Sequence, residues 1–214
     1  MTTTPTTTVI RVADRHDIPA LTATLVDAFV DTPDAVWLIP DPGERRHVYQ
    51  RLCPAILTHA MTSGTVYTSD DHAGAAVWLP HTAAGNPDPH HTALVDRVAG
   101  PHAGRFTHLA ALLHDHAPHR PHTYLAYFGV APDRQRHGLG TALLTHRHTT
   151  CDTAGTPVHL VATTTDARRL YQRHGYYDTT PAPVHLPDGG PPLWPMWRQP
   201  HTRSRGTAPG RGRP

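Results

Sequence analysis

Apolar and polar positions along this chain change period several times, and each change marks an element. Residues 9–12 read as a first strand, and residues 17–30 as a helix with Pro19 in its first turn, where a missing N–H costs nothing. Residues 43–62 carry Val48, Leu52, Ile56 and Leu57 on one helical face, and Pro54 is expected to kink or divide that helix. Residues 65–69 and 73–79 form a predicted hairpin around Asp70-Asp71-His72. A loop rich in Pro, Gly and Asn follows at residues 81–89, then helical character over 91–116, interrupted at Gly100-Pro101. Residues 124–130 are aromatic, β-branched or small and predict a buried strand. A helix starts at Gly138, a strand spans 158–163, a last helix 166–174, and closing strands occupy 176–186 and 193–198. The order β, α, α, β, β, α, β, α, β, α, β, β predicts an α/β (α+β) fold with a mixed sheet.

The turn between the strand ending at Val130 and the helix from Gly138 carries the first chemistry. Pro132 blocks continuation of the ladder, and beyond Gly138 the residues Leu139, Ala142, Leu143 and His146 share one face. Gly138 and Gly140 therefore sit at a helix N-terminus, where unpaired N–H groups and the positive dipole end favour an anion. A nucleotide P-loop is excluded, because the chain contains no lysine. A dinucleotide fingerprint fits poorly: its third glycine falls on Leu143, and Val158-His159-Leu160 stand where its acidic residue belongs.

Gln135-Arg-His-Gly138-Leu-Gly140 resembles the Q/R-x-x-G-x-G/A loop with which the GNAT superfamily of N-acetyltransferases holds the pyrophosphate of acetyl-CoA. About 30 residues on, Thr164-Thr-Asp-Ala167-Arg-Arg-Leu170-Tyr171-Gln-Arg-His-Gly175-Tyr176 is similar to that superfamily's N-x-x-A-x-x-L-Y-x-x-x-G-F signature. Ala28-Phe29 with Asp31, Pro33, Trp37, Pro40 and Asp41, then residues 75–80 and 192–196, resemble the branch containing puromycin N-acetyltransferase. The likeness spans roughly residues 9 to 198.

The resemblance implies a GNAT fold over 9–198, with central parallel strands, here 124–130 and 158–163, that splay apart to admit the co-substrate. It implies a backbone N–H between Phe128 and Val130 for the acetyl oxygen. Acetyl-CoA would be held by Phe128, Val130, Gln135, Arg136, His137, Gly138, Leu139, Gly140, Thr141 and Arg168. Tyr171 would hydrogen-bond to or protonate the leaving thiolate; the alternative is an aromatic filling a gap between helix and sheet. The branch carries a glutamate where this chain has Val161, so another group must accept the amine's proton, with His122 or His159 acting through water as candidates, or the amine must bind already neutral. Thr164 can still cap its helix, and Tyr176 retains the ring of the usual Phe. Asp27, Asp31 and Asp34 follow one another near the end of the first helix; Asp31 with Trp37 is the expected contact to a cationic amine, helix capping and packing being the alternative reading. Residues 187–192 are turn-forming and could be a pocket lip.

Composition narrows the setting. Twenty histidines invite a metal site, but the clusters at 114/116/119 and 146/148 lack ligand spacing and no HExxH occurs, so no metal is expected. An excess of Thr, Pro, Ala and Arg beside the absent lysine reads as biased coding. The net charge of +2 lies partly in the tail after His201, which leaves little support for nucleic acid. No apolar run approaches a membrane span, and the threonine-rich start lacks a signal segment, so a cytoplasmic protein with no membrane contact is expected. Residues 1–8 and 199–214 are expected to be disordered. Cys53 and Cys151 are expected to be reduced and buried. The expected function is acetylation of a small-molecule or short-peptide amine, an antibiotic among them, by a monomer or homodimer. Acetylation of protein N-termini or lysines, and a non-catalytic acyl-CoA sensor, stay open as alternatives.

Overall fold

The computed structural model describes residues 8–81 and 89–201. Its strands are β1 (Ile10–Val12), β2 (Thr65–Ser69), β3 (Gly74–His81), β4 (His122–Val130), β5 (Val158–Ala162), β6 (Tyr177–Asp178), β7 (Val184–His185) and β8 (Pro192–Arg198). Its helices are α1 (Ile18–Phe29), α2 (Pro33–Leu38), α3 (Pro42–Ser63), α4 (Pro89–Ala99), α5 (Ala103–Asp115), α6 (Leu139–Ala154) and α7 (Thr165–Arg173). Hydrogen-bonded neighbours run β1-β2-β3-β4-β5-β8-β6, and β7 pairs with β8. Among the described residues only the β4–β5 pair is parallel. This is the predicted mixed sheet.

Two irregularities of β4 shape everything that follows. First, it pairs with β5 only through Thr123, Tyr124 and Leu125 against Val158, His159 and Leu160, although β4 runs on to Val130. The central parallel strands splay, as expected. Second, a bulge lies opposite Val77 and Trp78: Val77 faces Tyr127 and Trp78 faces Leu125, so Ala126 is an extra residue. A bulge shifts the strand's alternation by one. Leu125 and Phe128 therefore both join the core under α6 and α7, while Tyr127 packs on the opposite side with α1 and α3.

The core is layered on both faces. Leu139, Leu143 and Leu144 of α6 meet Trp78, Leu160 and Met196, and Leu21 and Leu25 of α1 meet Tyr49, Leu57, Ala75 and Val77. Gly129 lets α1 lie directly on β4: a Cβ there would stand 2.9 Å from the Ala28 Cβ. A third cluster joins Leu38, Ile39, Val48, Leu52, Ile56 and Phe106 between α2, α3, α4 and α5.

Several elements depart from the sequence reading. Pro54 does not divide α3, which continues for 22 residues. The proline removes one helical hydrogen bond, and burial on two sides outweighs it. Those sides are distinct stripes: Tyr49, Cys53 and Leu57 face the sheet, whereas Val48, Leu52 and Ile56 face the third cluster. Helix α2 was not expected. The long closing strand over 176–186 reduces to the pairs β6 and β7, because Pro181 and Pro183 between them have no N–H to offer a ladder. The tail expected from 199 is anchored at its start, where the His201 N–H donates to Asp152 at 2.9 Å. The remainder of that tail, residues 1–7 and most of the 81–89 loop lie outside the described residues. Cys53 and Cys151 are free and buried. Among the described residues no helix is long and apolar enough to cross a membrane, and no group of three or more metal-ligating side chains could hold an ion.

Candidate active site

The glycine turn has the backbone geometry that an anion cradle needs. Gly138 is the N-cap of α6 at φ 85°, with no side chain capping the helix, so the first N–H groups of α6 receive no side-chain partner. Arg136, two residues earlier, is also left-handed at φ 63°. Such alternation turns successive N–H groups toward one anion. Open space lies over Gly138, where a Cβ would meet nothing within 4 Å. The Gln135 side chain donates to the Val130 carbonyl at 3.1 Å and ties the cradle to the end of β4. Gly140 is nearer the core, with Phe128 and Leu170 carbons 3.4 Å from where its Cβ would stand.

Backbone direction in β4 follows from two fixed points. The Thr123 N–H donates toward β5, to Pro157, and the Ala131 N–H toward β3, to Ala73. Alternation between them, with one residue absorbed by the bulge, turns the N–H groups of Phe128 and Val130 into the splay, where β5 no longer pairs. These are the donors expected for an acetyl oxygen. Tyr171 packs beside them, its ring 6.0 Å from Phe128 and 5.7 Å from Tyr176. Burial raises its pKa well above the usual phenol value, so the hydroxyl stays protonated and is able to donate a hydrogen bond. Thr164 caps α7, accepting from the Ala167 N–H at 3.1 Å, and so fixes the helix that carries Tyr171.

A cavity of about 1550 Å³ joins the cradle to the splay and continues to Tyr49, Ile56 and Phe106. His122 and His159 line it at the paired end of β4 and β5. The His122 Nδ1–H donates to the Arg120 carbonyl at 2.7 Å and its ring stacks on His81; the His159 Nδ1–H donates to the Met196 carbonyl at 3.0 Å, leaving a buried Nε2 with no partner. Burial pushes their pKa values down, to about 4 and about 3, so both are neutral imidazoles. Position argues against a direct role. His122 lies six residues before Phe128, a strand distance of more than roughly 15 Å.

The other end of the cavity holds Asp34. It stands second in α2, its Oδ1 sealed from solvent with no hydrogen-bond partner among the described residues. Burial raises its pKa, and the hydroxyls of Thr32 and Thr163 partly offset that. Thr163 directly follows β5, three residues beyond Leu160, the partner of Leu125, so the carboxyl beside it sits past the last β4–β5 pair, in the splay. Sequence reasoning named Asp34 only among three carboxylates. The signal that could have singled it out is Thr32-Pro33, a helix start with Ala35 and Leu38 buried after it.

The remaining expected residues divide. Gln135, Arg136, Gly138, Gly140, Thr141, Phe128 and Val130 line the cavity; His137, Leu139 and Arg168 do not. Leu139 is core, and Arg168 is held by Asp178, its Nε donating at 3.0 Å. Asp31 lies on the rim with its carboxylate exposed, 3.6 Å from Arg45. Trp37 is outside the cavity: its Nε1–H donates to the Pro187 carbonyl at 3.0 Å and its ring presses on Gly190, so it secures the 187–190 turn. Val161 lines the cavity where the branch has a glutamate.

Comparison with known proteins agrees with this geometry. Residues 102–178, from the start of α5 to β6, match the family model described as an acetyltransferase (GNAT) domain. A solved structure from Corynebacterium glutamicum ATCC 13032, described as histone acetyltransferase HPA2 and related acetyltransferase, is 25% identical, with 92% of this chain and 98% of that one covered at a TM-score of 0.65. An agmatine N-acetyltransferase mutant in its apo form is 16% identical, covering 89% of this chain and 98% of that one at a TM-score of 0.63. The polyamine N-acetyltransferase of Drosophila melanogaster is 18% identical, covering 89% and 99% at a TM-score of 0.62. The chain has the fold of these acetyltransferases along its described length, and its segment from α5 through the cradle to α7 matches the GNAT acetyltransferase domain.

Proposed function

We propose that this protein transfers an acetyl group from acetyl-CoA to the amino group of a small molecule or short peptide. The observation that carries this reading is the continuity of one cavity from the uncapped N-terminus of α6, past Phe128 and Val130, to the carboxyl of Asp34, which has no cation beside it among the described residues. The cradle fits a pyrophosphate: Gly138 leaves open space above the helix N-terminus, and Arg136, Arg169 and Arg173 line the same end. Acetyl-CoA would supply a thioester whose carbonyl is open to an amine. The Phe128 and Val130 N–H groups stabilise the oxygen on which negative charge develops. The Tyr171 hydroxyl donates toward the sulfur and lowers the cost of its charge. A neutral amine is needed, so a cavity group must hold the proton that an ammonium brings.

A small amine is favoured over a protein segment, since the acidic residues on the cavity rim are engaged by arginine: Asp27 by Arg46 at 2.9 Å and Asp31 by Arg45 at 3.6 Å. An antibiotic acceptor rests on the resemblance to the puromycin N-acetyltransferase branch alone. The acyl-CoA sensor rests on Val161 in place of a glutamate, and Asp34 supplies a carboxylate that weakens that objection. The test is calorimetric titration with acetyl-CoA, followed by a thiol-release assay over aminonucleosides, alkylamines, polyamines and peptides. Binding with thiol release from an amine supports the transferase; binding without release supports the sensor; no binding removes both.

A further inference from the structure

One end of the cavity holds a carboxyl with no cation beside it among the described residues: Asp34 meets the hydroxyls of Thr32 and Thr163, and its Oδ1 has no hydrogen-bond partner. Asp27, Asp31 and Asp166 also line the cavity, but each meets arginine: Arg46, Arg45, and Arg169 with Arg136, the last two at 3.3 and 3.6 Å. Asp34 has no such partner among the described residues. The same cavity carries apolar wall from Phe29, Leu38, Leu52, Ile56, Phe106 and Leu109. A buried carboxylate without a cation is costly, and a cationic ligand removes that cost. A ligand with a second ammonium group would find in the cavity only carboxylates that already face arginine.

We propose, building on the acetyl-transfer reading, that Asp34 anchors the acceptor's ammonium group and takes its proton, and that the acceptor is a primary monoamine carried on an apolar alkyl or aryl body. The Asp34 carboxylate removes one proton from the ammonium. The neutral nitrogen then forms the C–N bond to the thioester carbonyl as the C–S bond breaks, the electron pair leaving on sulfur. The surplus proton on nitrogen passes to that sulfur with the Tyr171 hydroxyl between them, and Asp34 returns its proton to water. Amine and thioester become amide and thiol with nothing left over. Level along the sheet distinguishes Asp34 from the histidines: Thr163, beside its carboxyl, lies beyond the last β4–β5 pair, in the splay that also holds Phe128, whereas His122 is at the far, paired end of β4.

The experiment titrates 2-phenylethylamine, hexylamine and spermidine into the CoA-saturated protein by calorimetry, for wild type and for Asp34→Asn, Asp34→Glu and His122→Gln, with melting temperatures recorded to establish that each variant folds. The two monoamines should bind at least tenfold more tightly than spermidine, and Asp34→Asn should weaken them at least tenfold while CoA affinity stays unchanged. Asp34→Glu should retain part of the binding, and His122→Gln all of it. In thiol release with acetyl-CoA, Asp34→Asn should lower kcat/KM for hexylamine roughly 100-fold or more. It should lower it far less for 4-methylaniline, which arrives neutral. Unchanged monoamine binding in Asp34→Asn, or tenfold preference for spermidine, would overturn the proposal. Thiol release unaltered in Asp34→Asn would overturn Asp34 and leave acetyl transfer standing. Asp34-dependent amine binding with no thiol release from any amine would overturn both the proton-accepting role and the transferase reading, while the amine anchor survives.

Discussion

Mild acid should unfold this protein through three buried histidines. His122, His148 and His159 are 4%, 5% and 1% exposed. Burial, the largest cause for each, pushes their pKa values from 6.5 to about 4, about 3 and about 3. Neighbouring positive charge adds to it, from Arg198 and His174 around His148 and from His81 and Arg120 around His122. Because the folded-state values are depressed, the unfolded chain binds the protons first as pH falls below 6.5, and each proton bound there favours unfolding. At pH 5 each imidazole costs about 2 kcal/mol relative to high pH, and the three together about 6 kcal/mol, of which only about 0.5 kcal/mol is present at pH 7. A total stability of about 5–15 kcal/mol cannot absorb such a loss unmoved. The lowered pKa values of Asp17 and Asp152 act in another window, since their stabilisation is lost only below about pH 4, where the unfolded carboxylates take up protons. Asp34 acts in the opposite sense: its raised value adds stability as pH falls through it and offsets part of the histidine cost. Urea titrations from pH 7.5 to 5 should give a slope between pH 6 and 5 of about 3–4 kcal/mol per pH unit, with a melting temperature about 10–20 °C lower at pH 5. His159→Gln, whose amide can still donate to the Met196 carbonyl, should remove about one third of the slope. A melting temperature level from pH 7.5 to 5 would refute the reasoning.

Tyr171→Phe keeps the ring packing on Phe128 and removes only the hydroxyl, so turnover should fall by about 10²-fold with acetyl-CoA affinity within about twofold by calorimetry; unchanged turnover would remove the donor role. Gly138→Val should weaken acetyl-CoA at least about tenfold, because a β-branched residue at φ 85° reshapes the turn even though the space there is open, and normal affinity would count against the cradle. Arg45→Met should lower stability by about 3 kcal/mol or more in urea titration and weaken monoamine binding in parallel, since the buried guanidinium holds three carbonyls around α2. Retained stability in that variant would mean the three carbonyls find water instead.

What could be read from sequence was local. The cradle is legible because its two glycines, the proline before them and the helical period after them fall within fifteen residues. Tyr171 is legible because its helix repeats a spacing. The bulge at Ala126 is not, since it arises from the pairing of β3 with β4, and nothing in Tyr-Leu-Ala-Tyr-Phe states which residue will be extra. Pro54 misleads for a related reason: the local cost of a proline is visible in sequence, whereas burial of α3 on two sides is not. The closing strand fails in the opposite sense, its prolines visible but underweighted.

The acceptor site shows why three aspartates within eight residues could not be ranked without a fold. Which of them is buried depends on Arg45, whose guanidinium, on a side chain 5% exposed, donates from Nε to the Val30 carbonyl and from Nη1 to Ile39 and Pro40 at 2.7 and 3.0 Å. Val30 precedes α2 and Ile39 and Pro40 follow it, so one side chain clamps both ends of the helix that carries Asp34. Trp37 holds the same helix from the other side, against the 187–190 turn. With its donors spent on carbonyls, Arg45 reaches only the exposed carboxylate of Asp31 and leaves Asp34 unbalanced. The buried carboxyl is thereby held in place by a neighbouring cation that does not pair with it, and an ammonium that would favour its ionised form must come from outside the chain.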